Sequence, residues 1–308
     1  MSTAPHSDPS LAGRTIVVTG ASDGIGKAAV RALVERGALV TLVGRNEAKT
    51  AAAARSIMSA SGRRTVQWEI ADLSQQEQVR ALAGRLRAAH PQIHLLANNA
   101  GAMFLERSCT VDGLERTFAL NHLSYFTLTL LLLPSLLAAA RPAQPARVIN
   151  VSSRAHRNAT PNLGDLQGEQ RFGGWRAYAN SKLFNLWFTR ALARRLDPQR
   201  VVVQAMHPGV VRTRFATNNG RRGRLLRRLM DLTAVTPEQG ADTLVWLAAA
   251  TEPDARPGRY WVRRHETTPS ALARDDAQAQ QLWALSAALA QFDADQLIRD
   301  AQGVHAGH

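Results

Sequence analysis

Short, nearly continuous apolar runs alternate with longer segments of helical period through the first 210 residues, the pattern of a parallel sheet covered by helices on both faces. The runs predict strands at about Thr15–Thr19, Ala38–Val43, Arg64–Ile70, Ile93–Ala97, Arg147–Val151 and Val201–Met206. Between them, apolar positions spaced by three and four predict helices near Gly24–Arg36, Asn46–Ala60, Gln75–Ala89, Thr110–Ala140 and Trp175–Leu196. Strands joined in this way by right-handed crossovers make one doubly wound α/β sheet of Rossmann type. After Val211 the pattern changes to helical segments at Arg221–Thr233 and Pro237–Ala249, a short strand-like Gly258–Val262 and a helix around Asp275–Ala290. This tail is expected to be a small, mostly helical extension at the edge of the sheet. No repeat and no Gly/Ser-rich linker divides the chain, so residues 1–10 read as a disordered leader and 11–308 as a single domain.

Leu123 to Ala140 is the longest apolar stretch and approaches a membrane span in length, but Ser124, Tyr125, Thr127, Thr129, Pro134 and Ser135 interrupt it. It reads as a buried core helix rather than a transmembrane segment. The first ten residues lack the basic flank and apolar run of a signal peptide. Across 308 residues, 45% hydrophobic and 20% charged composition is ordinary for a globular chain and excludes a disordered or collagenous one. Charge changes the picture more. Thirty-eight Lys+Arg against 24 Asp+Glu give +14, and Lys27, Lys49 and Lys182 are the only lysines, so arginine carries the excess. Such a balance invites nucleic acid, an anionic membrane or an acidic ligand. No helix-turn-helix, zinc or aromatic RNA motif supports nucleic acid. Cys109 is the single cysteine, which fits a reducing cytoplasm and excludes an internal disulfide. His90 and His94 flank Pro91 and make no helical metal pair, so no metal is expected; His207 and Cys109 read as packing residues.

The first strand runs into Thr19-Gly20-Ala21-Ser22-Asp23-Gly24-Ile25-Gly26, spaced G-x-x-x-G-x-G. A glycine turn between a buried strand and a helix start lets backbone N–H groups and the positive helix terminus approach a pyrophosphate. At the end of strand two, where an acid would hold the ribose 2′-hydroxyl of NAD, the chain reads Val43-Gly44-Arg45-Asn46. Arg45 offers a charge-assisted fork to a 2′-phosphate, so NADP(H) is preferred over NAD(H). Farther on, Tyr178 and Lys182 stand four apart at the start of a predicted helix, one turn apart on one face. A tyrosine needs roughly 3–4 kcal/mol of preferential phenolate stabilisation to act as a base near neutral pH, and Lys182 with a cationic nicotinamide nearby supplies charge of the right sign.

These motifs, with Asp72-Leu73, Asn98-Asn99-Ala100-Gly101, Asn121, Val151-Ser152-Ser153 and Pro208-Gly209-Val210-Val211-Arg212-Thr213, make the chain resemble the short-chain dehydrogenase/reductases, particularly their retinol-dehydrogenase-like branch. Gln281-Leu282-Trp283-Ala284-Leu285-Ser286 also resembles that branch's C-terminal helix. The resemblance implies Tyr178 as acid/base, Lys182 as its modulator and ribose ligand, Ser153 as the donor to the substrate oxygen, and Asn121 as holder of a water relayed to Lys182. Ser153 is preferred to Ser152 because its separation of 25 residues from Tyr178 matches that branch's longer connection, here through Asp165-Leu166-Gln167; Ser152 and Asn98 are expected to brace the sheet. Cofactor contacts are implied for Gly20, Ser22, Asp23, Gly24, Ile25, Gly26, Asp72, Leu73, Asn99, Ala100 and Gly101, and for Pro208, Gly209, Val211 and Thr213 at the nicotinamide.

The implied function is interconversion of a carbonyl and an alcohol on a small lipophilic substrate by hydride transfer; a non-catalytic NADP-binding regulator is the alternative. Substrate residues are expected from the Arg154–Arg176 and Arg212–Val235 segments. The second holds Arg221, Arg222, Arg224, Arg227 and Arg228 beside Leu225, Leu226, Leu229 and Met230, a basic amphipathic pattern open to a lid, a peripheral membrane contact or a solvated face. A homo-oligomer is implied by the family.

Overall fold

Valine, isoleucine and leucine dominate the strand positions, and a strand such as Ala146–Val151 is buried at every residue, so it must be covered on both sides. The computed structural model describes residues 10–209, 235–250 and 256–303. The leader up to residue 9, the Arg221–Thr233 segment with its arginine cluster, and Val211 and Thr213 lie outside the described residues.

Along the chain run β1 (Thr15–Thr19), α1 (Gly24–Glu35), β2 (Leu39–Gly44), α2 (Glu47–Ser61), β3 (Val66–Ile70), α3 (Gln76–Ala89) and β4 (Leu95–Asn98). Then come a short α4 (Arg116–Phe118), a π-turn (Ala119–Leu123), α5 (Ser124–Ala139), β5 (Ala146–Val151), α6 (Gly174–Ala193) and β6 (Val201–His207). The described tail adds α7 (Pro237–Ala249), β7 (Tyr260–Val262), β8 (His265–Glu266), α8 (Asp276–Ala290) and α9 (Ala294–Gln302). Sheet order is β3-β2-β1-β4-β5-β6-β7-β8, parallel up to β7, with β8 antiparallel. The chain moves outward from β1 in both directions, which is the doubly wound arrangement expected, with its crevice where β1 meets β4.

Two apolar layers flank the sheet. Valines and leucines of β1 and β2 pack with α1, α2 and α7 on one face, while α3, α5, α6, α8 and α9 cover the other. Local chemistry sets the ends: Asp23 caps α1, Asn46 caps α2 before a left-handed Gly62, and Thr236 with Gln239 forms a capping box ahead of Pro237 on α7.

The tail extends the sheet's edge, as expected, with β7 paired to β6 through Ala205↔Tyr260, Met206↔Trp261 and His207↔Val262; it also completes both helical layers, with α7 packed on α1, α8 on α6 and α9 on α5. One expectation is corrected: no helix begins at Thr110. Gly113, at φ +75°, turns the chain, and the helix starts only after Glu115, whose carboxylate accepts from the Thr117 and Phe118 amides. The apolar segment Arg116–Ala139 is long enough to cross a membrane, yet 83% of its most apolar window is buried inside the protein, so it serves as the core helix.

Candidate active site

The nucleotide end is built by glycines at positions where nothing larger fits. Gly20 has φ +64°, and a Cβ there would lie 2.6 Å from the Ala100 Cα. At Gly26 a Cβ would lie 2.5 Å from the Gly20 carbonyl oxygen. The Asn99 amide donates to the carbonyls of Thr19 and Gly20 at 2.8 and 3.2 Å, and the Thr19 hydroxyl accepts from the Asn99 and Ala100 N–H groups. The loop is thereby held open over the N-terminus of α1, with Ser22, Asp23, Gly24 and Ile25 at its rim: a cradle suited to a diphosphate. Arg45 is exposed just past β2 and has no acidic partner among the described residues.

Lys49, which the sequence reading passed over, pairs with the Asp23 carboxylate at 2.8 Å and puts a second cation on the Arg45 side of the crevice. Its signal was faint: one of three lysines, one turn into α2 after Arg45. Asp72 lies close to this crevice in chain order, but one of its carboxylate oxygens accepts from the Ser74 amide and hydroxyl, and Leu73 is buried beside it. Asn98 ties β4 to α5 and β5 through Thr129 and Asn150, as a sheet brace should.

The chemical end lies across the C-terminal ends of β4, β5 and β6. Ser153, immediately after β5, caps a 3-10 turn at Arg154–Asn158 and is hydrogen-bonded to the Tyr178 phenol. Ser152 is buried and donates to the Lys182 carbonyl at 2.7 Å, a structural role. Lys182 Nζ donates to the Val151 carbonyl at 3.1 Å and stands 5.7 Å from the Tyr178 ring centroid. Gly101 keeps the floor open, since a Cβ there would lie 3.3 Å from both Lys182 Nζ and Asn121 Oδ1.

Burial decides the ionisation of the pair. Desolvation pushes the Tyr178 phenol up to about 12, with the Ser153 hydrogen bond acting the other way, and pulls Lys182 down to about 7. In the protein alone the desolvation of the phenolate outweighs the stabilising contacts, and the cationic nicotinamide invoked alongside Lys182 is not part of that balance.

Asn121 sits in the π-turn with both side-chain N–H groups committed. It accepts from the Ala102 amide and donates to the Ala102 carbonyl, each at 2.9 Å, and donates to Ser181 Oγ at 3.0 Å. Its side chain braces the floor of the site. Of the nicotinamide-end residues, Pro208 follows β6 and Gly209 turns at φ +89°; Val211 and Thr213 lie outside the described residues. Cys109, expected in packing, is exposed. The Arg154–Arg176 connection divides: Ser153–Asn158 borders the phenol, whereas Thr160, Asp165, Gln167, Phe172 and Arg176 line a cavity of about 290 Å³ with Ala177 and Asn180, not with Tyr178.

A parallel sheet with a glycine cradle at its crevice and a Ser–Tyr–Lys cluster one strand over defines a dinucleotide-dependent oxidoreductase, and the chain belongs to the short-chain dehydrogenase family, whose model matches residues 14–223. Within it, the chain is 39% identical over 279 residues to retinol dehydrogenase 12 of Mus musculus, covering 91% of this chain and 87% of that one. Polyprenol dehydrogenase of Mus musculus is 37% identical over 281 residues, at 90% and 83% coverage. The crystal structure of an uncharacterized protein from Mycobacterium Paratuberculosis superposes with a TM-score of 0.75 at 33% identity, covering 93% of this chain and 97% of that one. The Pseudomonas aeruginosa RhlG/NADP active-site complex gives 0.66 at 29% identity, with 86% and 98% coverage. The protein is therefore a retinol-dehydrogenase-like oxidoreductase acting on CH–OH groups with a nicotinamide dinucleotide.

Proposed function

We propose that the protein is an NADP(H)-dependent carbonyl reductase and alcohol dehydrogenase for lipophilic substrates, with Tyr178 as the acid/base. The observation that carries this reading is the neutral phenol of Tyr178, hydrogen-bonded to Ser153 and backed by Lys182 at the open end of the sheet. A phenol pushed up to about 12 stays protonated across the physiological range and is a ready donor to a carbonyl oxygen. Ser153 donates to the same oxygen as negative charge grows on it. Lys182, pulled down to about 7 by burial, favours the phenolate left behind when it carries its charge. NADPH, when bound, supplies the hydride.

The glycine cradle from Gly20 to Gly26 would hold the diphosphate, Asp72 and Leu73 the adenine, Asn99, Ala100 and Gly101 the adenosine side, Lys182 a ribose, and Pro208 and Gly209 with Val211 and Thr213 the nicotinamide. Arg45, uncommitted and with Lys49 one turn beyond it, supports a 2′-phosphate and hence NADP(H). Trp175 supports an apolar substrate: its indole is 52% exposed and its ring centroid lies 5.9 Å from that of Tyr178. The named activities of the retinol and polyprenol dehydrogenases point the same way. A cytoplasmic location belongs to the same proposal and rests on the single unpaired cysteine.

NADPH consumption against lipophilic aldehydes, ketones and quinones, with NADH as the control, tests the reading. Turnover with NADPH, and at least tenfold less with NADH, is expected. Tight NADPH binding with no turnover on any member would instead identify a cofactor-sensing regulator.

A further inference from the structure

Beside the catalytic phenol, on the side away from the nucleotide crevice, three exposed arginines gather with no acid paired to them among the described residues. Arg154 follows Ser153 directly, Arg157 lies one turn on, and Arg263 is the first residue past β7, whose last residue Val262 pairs with His207. Among the described residues none of the three has a carboxylate partner, and Arg157 spends only one donor, on the Thr268 carbonyl. Their neighbours on the same sheet edge are matched: Arg256 and Arg259 face Glu266 at 3.8 and 3.0 Å, and Arg264 pairs with Asp242. The local acids are already engaged elsewhere.

Under these arginines lie two buried polar atoms with no partner, His207 Nδ1 and Tyr260 Oη, on side chains only 4% and 3% exposed. An unpartnered buried polar atom is costly and calls for a ligand atom or a water. His156 packs edge-on against Tyr260, with ring centroids 5.3 Å apart, and is fixed by the Ser153 carbonyl and the Ser270 amide. Burial, with Arg154, His156 and Arg263 adding to it, holds His207 down to about 4, so the positive charge here is that of the arginines. Burial pushes the Tyr260 phenol up, with Arg157 and Arg154 close enough to oppose it, so the hydroxyl lies within reach of the arginines' charge.

The β7–β8 turn adds a separate sign. Its two residues, Arg263 and Arg264, both have positive φ, +51° and +64°, where glycine or asparagine is the unstrained choice. A turn that keeps arginine there accepts a local cost. The cofactor's diphosphate is not the missing anion: its cradle follows β1, four strand spacings from β7, roughly 19 Å at about 4.8 Å per spacing.

We propose that Arg154, Arg157 and Arg263, over His207 and Tyr260, form an anion subsite that selects carbonyl substrates bearing a carboxylate or phosphate remote from the reacting oxygen. This deepens the oxidoreductase reading and, for the word substrate, rests on it. The preferred compound is then amphiphilic, with an apolar body near Trp175 and a charged end at the arginines.

The test compares 4-carboxybenzaldehyde and 4-formylphenyl phosphate with methyl 4-formylbenzoate, in the native protein and in an Arg154→Ala/Arg263→Asn variant, the asparagine suiting the left-handed backbone. At least a tenfold preference in kcat/KM for an anionic aldehyde is expected, carried by KM and shrinking as salt is raised. The double variant should bring that ratio to about one, and whichever anion is preferred names the group. Equal rates for ester and anions in the native protein, or a ratio that survives the double substitution, overturn the subsite. If no aldehyde is reduced, calorimetry with the NADP-loaded protein separates the two ideas. Arginine-dependent binding of 4-carboxybenzaldehyde then upholds the subsite while the reductase reading falls, and no binding at millimolar concentration overturns the subsite as well.

Discussion

Tyr178 and Lys182 stand on one face of α6, and burial moves their ionisation in opposite directions, each toward its neutral form. For Lys182 the consequence reaches stability. Its ammonium is held near 7 in the folded protein against 10.5 ordinarily, so between those values the unfolded chain binds the extra proton and stability rises with pH. The cofactor-free protein should therefore melt higher at pH 9 than at pH 7. Lys182→Met should raise the pH 7 melting temperature by several degrees and remove most of that slope; a lower melting temperature would contradict the buried-ammonium account. Arg45→Asp should weaken NADPH by tenfold or more in a binding titration and leave NADH within about threefold, since a guanidinium–phosphate fork contributes on the order of 1.5–3 kcal/mol. Equal loss for both cofactors would reject the 2′-phosphate assignment. The placement of Ser153 beside Tyr178 was legible because both lie in short motifs. Two things were not: the Asn121 side chain's commitment to Ala102 and Ser181, and the Lys49–Asp23 pair, both contacts between segments far apart in the chain. The desolvation that raises the phenol in the protein alone was not legible either, since spacing reports nearby charge and desolvation is a property of the packed site.

At the level of elements, the first crossover depends on Gly20 more than its turn geometry alone requires. A methyl there meets the Ala100 backbone at 2.6 Å in addition to the positive φ, while Gly113, with φ +75°, has nothing within 4 Å. Gly20→Ala should cost roughly 2–4 kcal/mol in denaturant unfolding and abolish cofactor affinity, and Gly113→Ala only about 1. Similar costs at the two sites would show that the close approach of the β1 and β4 loops is not what the glycine protects. Strand positions were legible to within a residue or two because apolar, β-branched runs of four to seven residues have few other uses in such a chain. The π-turn at Ala119–Leu123 was not, being concealed within continuous helical periodicity. Nor was α9, whose sequence is mostly polar; its Ile298 becomes buried only against helices that the tertiary fold supplies.

Over the described residues many of the arginines are drawn into ion pairs dispersed across the fold. Arg190, Arg194 and Arg195 tie α6 to Asp276 and Asp295 of the C-terminal helices, Arg85 pairs with Glu69, and Arg31 with Glu35. Among the described residues, arginines without an acid partner stand at both ends of the site, Arg45 by the nucleotide crevice and Arg154, Arg157 and Arg263 beside Tyr178. The class of fold was legible from alternation alone, but the closing of both helical layers by the tail was not, because the segments that meet there lie more than 80 residues apart in sequence, as with Arg190 and Asp276. All of this geometry converges on one phenol. The decisive measurement is the single-turnover rate of NADPH oxidation by a lipophilic aldehyde in the native protein and in Tyr178→Phe, with NADPH affinity measured alongside. The account predicts a fall of about 10²- to 10⁴-fold with cofactor affinity within a few fold of native; an unchanged rate in Tyr178→Phe would contradict it.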